Sequence, residues 1–352
     1  MILENRINAF VKLGEFLSQF TTKNIIKKEN ILYNDIFFDA FKMQIKRSHE
    51  FNSWFTEDNV LFALESWSKL LTKINLEKWT SSYKISENSN KLIAVIMAGN
   101  IPLVGFHDFL TVLISGHSIL IKQSSNDKHI LPLIVKYLEN LDQEFKTKIN
   151  FTEKLNNFDA VIATGSNNTA RYFDYYFGKY PNIIRQNRNA VAVITGNETI
   201  TELEKLGDDI FRYFGLGCRN VSKIFIPENY NFDNFFKAMF KFKDIINYIK
   251  YENNYTYNKA VYLMSLFKLQ ENGFLMLKED TSYSSPIASL FYEYYIDIEQ
   301  LKSKLNIEQG QIQVIVSNDN LKNSVKFGET QKPLLWEYAD DVDTLKFLIE
   351  LR

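Results

Sequence analysis

The stretch KLIAVIMAGNIPLVGFHDFLTVLIS, Lys91 to Ser115, decides how the chain is read. Its first eight residues are a nearly unbroken apolar run, as a strand covered on both faces requires. Gly99 to Pro102 turns the chain. The apolar spacing that follows is helical, opened by Pro102 and closed by Gly116. The same unit then recurs. SILIK (118–122) reads as a strand, and SNDKHILPLIVKYLENL (125–141) as a helix capped by Ser125 or Asn126. FDAVIATG (158–165) is a strand, followed by a helix from Ser166, and NAVAVIT (189–195) is another strand. The helix TITELEKLGDDIFRYF (199–214) has its cap at Thr199 or Thr201, and Thr201 with Glu204 fits a capping box. VSKIFIP (221–227) closes the series as a strand. Strand and helix in alternation predict α/β architecture with largely parallel sheets.

Upstream of Lys91 the texture is different. INAFVKLGEFLSQF and NVLFALESWSKLLTKI both place apolar residues at helical intervals, so residues 1–90 are expected to be a helical segment. The length suggests about two domains. The seam is expected within GKYPNIIRQNRN (178–189), where Gly, Pro and Asn cluster. This gives a first domain over residues 1–185, a second over 186–325, and a C-terminal segment over 326–352 that returns to the first domain or to an oligomer interface. PLLWEYADDVDTLKFLIE is read as a C-terminal helix, and GQIQVIVS as a sheet-edge or oligomer-forming strand.

Composition narrows the function. The 352 residues carry 41 basic and 42 acidic side chains, which leaves no basic excess for a nucleic acid partner. The single cysteine excludes an intramolecular disulfide, and the four histidines show no metal-ligand spacing. No apolar run approaches the roughly eighteen residues of a membrane span, and the first residues lack a signal-peptide core. A cytoplasmic protein is expected.

Four short stretches could carry chemistry. FGLGCRN (214–220) holds the only cysteine, Cys218, between a helix end and a strand start, with Gly215 and Gly217 beside it. It reads either as a nucleophile with open space around the sulfur or as a structural thiol. A lowered thiol pKa would need Arg219, Arg212 or another cation. MAGNIP (97–102) puts Asn100 past a strand end, as a ligand-facing donor or a plain turn former. ILIKQSS (119–125) ends a strand on Lys122, and IATGSNNTA (162–170) places Gly165 and Ser166 at a helix start, where backbone N–H groups suit an anion.

Taken in their order along the chain, MAGNIP, ILIKQSS, IATGSNNTA and FGLGCRN resemble the acyl-CoA reductase family typified by the bacterial bioluminescence fatty acid reductase, within the aldehyde dehydrogenase superfamily. The likeness runs from about Lys91 onward. It implies an aldehyde dehydrogenase-like fold, with a Rossmann-type cofactor domain, an α/β catalytic domain and the helical N-terminal segment. AGNIPLVG resembles the segment carrying the oxyanion-hole asparagine, here Asn100, and FGLGCRNVSKIFI the nucleophile segment, here Cys218. ILIKQS resembles the cofactor-binding strand end, with Lys122 and Ser124, and ATGS the phosphate-proximal turn, with Gly165 and Ser166.

Two departures shape the expected activity. Hydrolytic members of the superfamily carry a water-activating glutamate, whereas the matching stretch NIIRQNRNAVAV (182–193) contains no acid. Without a general base an acyl-enzyme meets water slowly, which favours acyl transfer to or from a thiol. NAD-preferring members often place an acid three residues after the lysine, where this chain has Ser125. That permits NADPH, with Lys122 as a phosphate partner and NADH as the other option. The resemblance thus implies NADPH-dependent reduction of a long-chain acyl-CoA, or another acyl thioester, to an aldehyde. Acyl-CoA, an acyl carrier or an acyl-protein synthetase would be the donor, and the chain would form a homo-oligomer. The alternatives are an acyl-phosphate or aldehyde dehydrogenase of the same fold, and a non-redox acyl-binding or acyl-transfer protein. For the latter the feature is TSYSSP (281–286), which has no acid where the superfamily carries its nicotinamide-side glutamate.

Overall fold

The structure, a computed structural model, describes residues 1–87, 90–318, 321 and 324–351. The chain divides into two compact units, one formed by Met1–Gln186 with Leu334–Arg352 and the other by Asn187–Pro333.

The first unit opens with four helices, α1 (Leu3–Leu17), α2 (Asn34–Phe51), α3 (Glu57–Leu70) and α4 (Lys73–Thr80). Thr56 and Thr72 cap the last two by accepting backbone N–H bonds from Asn59 and Asn75. The sheet elements follow: β1 (Leu92–Ile96), α5 (Phe106–Ser115), β2 (Ser118–Lys122), α6 (Ile130–Leu141), α7 (Phe145–Lys148), β3 (Ile149–Phe151), β4 (Ala160–Thr164), α8 (Asn167–Phe177) and β5 (Asn182–Arg185). The strands pair in parallel in the order β3-β2-β1-β4-β5. Buried Ile93 and Val95 of β1 share one core with Phe10 and Phe16 of α1 and Phe41 of α2. Phe16 stacks on Tyr137 of α6 at 4.4 Å. Each phenylalanine fully withdrawn from water there contributes about 2–3 kcal/mol, so the N-terminal helices are part of this unit's core.

The second unit contains β6 (Asn189–Val193), α9 (Ile200–Phe211), β7 (Val221–Pro227), α10 (Asp233–Met239), α11 (Ile249–Met264), β8 (Leu269–Glu271), β9 (Met276–Glu279), β10 (Ser289–Tyr295), α12 (Ile298–Ile307), β11 (Ile312–Val316) and β12 (Ser324–Val325). The sheet order is β12-β11-β6-β7-β10-β9-β8, parallel except where β8 meets β9. One face packs against α9 and α10, and the other against Leu301 and Leu305 of α12. The chain ends in the first unit with α13 (Thr344–Ile349). No helix among the described residues is long and apolar enough to cross a membrane.

Several element boundaries differ from the sequence reading, each for a visible reason. Helix α5 starts at Phe106 rather than Pro102, because Leu103 takes a left-handed φ of 57° and gives its N–H to the Asp127 carboxylate. Helix α6 starts at Ile130 with no side-chain cap. Ser124 and Asn126 are held in a turn instead, where the Asn126 N–H donates to Ser124 Oγ. The cap of α9 is Thr199, one of the two expected, and its capping box is with Glu202, two residues before the Thr201–Glu204 pair. Within the expected seam, β5 completes the first sheet through its pairing with β4. Strand β11 lies inside the second sheet, between β6 and β12, rather than at its edge. The C-terminal helix is only six residues long, because Asp340 and Asp341 adopt left-handed φ values of 60° and 56° ahead of the Asp343 cap.

Candidate active site

In the first unit, five of the residues singled out by sequence gather at one edge of the sheet. Strands β1, β2 and β4 run parallel and in register, with Ile96 opposite both Lys122 and Ala163. Their carboxyl ends therefore present Lys122 as the last residue of β2, Gly165 and Ser166 just past β4, and exposed Asn100 four residues past β1. Chain order passes from β1 to β2 on one side and to β4 on the other, so the loops bearing Asn100 and Gly165 flank the switch point, where α/β sheets take ligands. Ser166 is the N-cap of α8 and accepts the Thr169 N–H at 3.3 Å. Lysine, serine hydroxyls and the start of an eleven-residue helix form a donor set suited to phosphates.

The loops after β1 and β2 are locked to one another. A Cβ on Gly99 would lie 2.5 Å from Ser124 Oγ, so only glycine allows this approach. Asn52, just past α2, donates to the carbonyls of both Gly99 and Asn126 at 3.4 Å. Asp127 accepts the Leu103 N–H at 3.0 Å from the other loop, and burial pushes its carboxyl up to about 6 against that bond. Ser124 thus serves as a packing and hydrogen-bonding residue of the edge. Asn52 and Asp127 were not singled out by sequence. Asn beside a helix end and Asp in a polar run read as ordinary turn residues.

In the second unit, Cys218 is exposed in the turn between α9 and β7. The strain around it does not fall on both glycines. Tyr213, Phe214 and Gly215 take successive left-handed φ values of 54°, 58° and 77°. Each non-glycine there costs roughly 1–2 kcal/mol, and Phe214 is held by stacking on Tyr248 at 4.6 Å. Buried Asn220 clamps the turn. Its Oδ1 accepts the Gly217 N–H at 2.8 Å, and its Nδ2 donates to the carbonyls of Asp209 at 3.0 Å and Arg212 at 2.7 Å. Asp209 in turn accepts from Gly328 N–H, Thr330 N–H and Thr330 Oγ1, while burial pushes its carboxyl up to about 6. Arg219, a candidate cation for the thiol, donates its Nε–H to the Thr330 carbonyl.

The start of β7 also pins the TSYSSP loop. Ser222 Oγ donates to the Tyr283 carbonyl and Lys223 Nζ to the Thr281 carbonyl, both at 2.7 Å. Fully buried Lys223 pairs with Glu293 at 2.6 Å. Desolvation lowers its pKa against that partner. Among the dense aromatic stretches, Phe232, Phe235 and Met239 are core residues beneath the sheet, and SLFYEYY is strand β10 itself. Among the described residues no group of three or more His, Cys, Asp or Glu could hold a metal ion.

Residues 39–240 match the family model described as acyl-CoA reductase (LuxC). No curated protein matches the chain. Among solved structures, aldehyde dehydrogenase 21 from Physcomitrella patens, in complex with the reaction product succinate, is similar with a TM-score of 0.63 at 10% identity, over 91% of this chain and 74% of that one. The NAD+ complex of an aldehyde dehydrogenase from Bacillus cereus gives 0.59 at 13% identity, over 90% and 72%. An indole-3-acetaldehyde dehydrogenase complexed with NAD+ gives 0.60 at 12%, over 92% and 74%. At such identities the likeness is one of fold.

Proposed function

The chain belongs to the LuxC acyl-CoA reductase family, and from that premise we propose that it reduces an acyl thioester to an aldehyde through a covalent intermediate on Cys218, with NADPH as the reductant. The observation that carries this reading is the exposure of the only thiol, in a turn clamped by Asn220 directly ahead of β7. A structural thiol would be packed away from water.

The Cys218 thiolate attacks the thioester carbonyl, and the CoA thiolate leaves with the electrons of the broken carbon–sulfur bond. The family resemblance gives Asn100 the part of a donor to the oxyanion, and losing such a donor typically costs about 3 kcal/mol of barrier. When bound, the reduced nicotinamide supplies a hydride to the acyl carbon. The thiohemiacetal alkoxide left on Cys218 then re-forms a carbonyl as its carbon–sulfur bond breaks, releasing aldehyde and restoring the thiolate. The acid-free stretch 182–193 offers no base to activate water, so the acyl-enzyme persists for reduction. The donors at the first sheet's carboxyl edge fit a dinucleotide: Lys122, Ser166 and the N–H groups opening α8 match the anionic phosphates.

Mass spectrometry after exposure to an acyl-CoA without nucleotide tests the intermediate. The expected result is one acyl adduct on the peptide containing Cys218 and release of an equal amount of CoA thiol. Cys218→Ala should show neither while still binding nucleotide. Acyl-CoA reduction by the alanine variant at the wild-type rate would refute the assignment.

A further inference from the structure

The carboxyl edge of the five-stranded sheet carries an ion pair that the reaction above does not use. Strand β3 ends at Phe151 opposite Ile121, and the Thr152 N–H donates to the Ile121 carbonyl at 2.9 Å. Glu153 therefore stands just past β3, beside the strand end that bears Lys122. Thr152 Oγ1 fixes the turn, donating to the Lys154 carbonyl at 2.6 Å and accepting the Lys154 N–H at 3.1 Å. Lys128, from the loop after β2, donates to Glu153 Oε1 at 2.8 Å. Both side chains reach water, Lys128 at 38% exposure and Glu153 at 81%. The bond to Lys128 holds the Glu153 carboxyl below its ordinary range, and the field of Lys122 adds to this.

The inference rests on the dinucleotide reading of this edge. A parallel sheet with this strand order seats the pyrophosphate at the switch point and the adenosine ribose over the strands on the β2 side. There an acid favours the 2′-hydroxyl and repels a 2′-phosphate, whereas a cation favours the 2′-phosphate. The loop after β2 supplies no acid before Asp127, whose carboxylate is turned to Leu103. The acid at this edge comes instead from the end of β3, and a lysine already neutralises it.

We propose that Glu153 and Lys128 set the choice between dinucleotides with a 2′-hydroxyl and those with a 2′-phosphate, Lys128 cancelling the repulsion that Glu153 would otherwise exert on the phosphate. Lys122 and Lys128 together then face the 2′-phosphate, and Glu153 is the counterweight that keeps the 2′-hydroxyl form acceptable.

Because Glu153 is exposed and Lys128 reaches water, Glu153→Gln and Lys128→Gln are expected to fold as the wild type does. Nucleotide fluorescence titrations of the full chain with NADPH and with NADH read the effect without turnover. Glu153→Gln should raise the preference for NADPH by about threefold, and Lys128→Gln should lower it by about threefold, the size expected of single solvated charges. Both shifts should shrink as salt is added. A preference unchanged in both variants, or moved the same way by both, would overturn the proposal. A wild-type chain that binds neither nucleotide would overturn the dinucleotide reading itself, and this inference with it.

Discussion

Asn220 shows how much of the thiol's setting rests on one side chain. It is 2% exposed, and its amide serves one N–H and two carbonyls around the Cys218 turn. Asn220→Ala would strand all three groups, and at about 1–3 kcal/mol for each buried group left unpaired the unit should lose roughly 3 kcal/mol. Urea unfolding measures this, and iodoacetamide should alkylate Cys218 at a changed rate as the turn relaxes. Asn220→Asp should not rescue it, because a carboxylate would face the carbonyls of Asp209 and Arg212. Wild-type stability in either variant would show that the clamp is not needed. Cys218 itself was legible in sequence as a lone thiol between a helix and a strand. Asn220 was not, since asparagine in a Gly-rich turn is what any turn contains.

At the scale of elements, strands were the easiest to read and helix starts the hardest. LIAVI, SILIK and VSKIFIP fall on β1, β2 and β7 because apolar runs of that length bury themselves whatever surrounds them. Pro102 and Asn126 carry good local signals for starting a helix, yet α5 and α6 begin later. Both segments are drawn into the contact between the loops after β1 and β2, where Asp127 takes the Leu103 N–H. That bond is testable. Asp127→Ala removes the acceptor beside a left-handed leucine and should leave the first unit about 1 kcal/mol less stable than Asp127→Asn. Asp127→Asn keeps an acceptor oxygen. Asp127's folded pKa, near 6, lies above its ordinary 3.8, so its contribution to stability is complete below about pH 3.8 and lost as pH rises through 6. The neutral asparagine should therefore match or exceed wild-type stability at pH 8. Melting curves of the three proteins at that pH would decide, and an alanine variant as stable as the asparagine one would count against the bond.

For the whole molecule, acid is the informative stress. Glu65 of α3 accepts from Lys69 at 2.6 Å and from the Thr22 N–H and hydroxyl at 3.0 and 2.9 Å, tying α3 to the segment after α1. The Lys69 bond leads in holding its carboxyl down to about 2, below the ordinary 4.5. The stability it contributes is present above about pH 4.5 and is lost as pH falls through 2. Glu65→Gln should flatten the acid limb of unfolding between those values, and an unchanged limb would show that the carboxylate matters little. The molecule also shows where sequence and fold part company. Sequence alone determined the alternation of strands and helices and the parallel sheets, because burial periodicity and glycine–proline punctuation act within a few residues of the chain. It could not supply the partners. Asn52 against Gly99, Asp127 against Leu103, Asp209 against Thr330 and Glu153 beside Lys122 join residues from different segments. Only the tertiary structure decided these, since a hydrogen bond or an ion pair depends on distances in space that the order of residues does not encode locally.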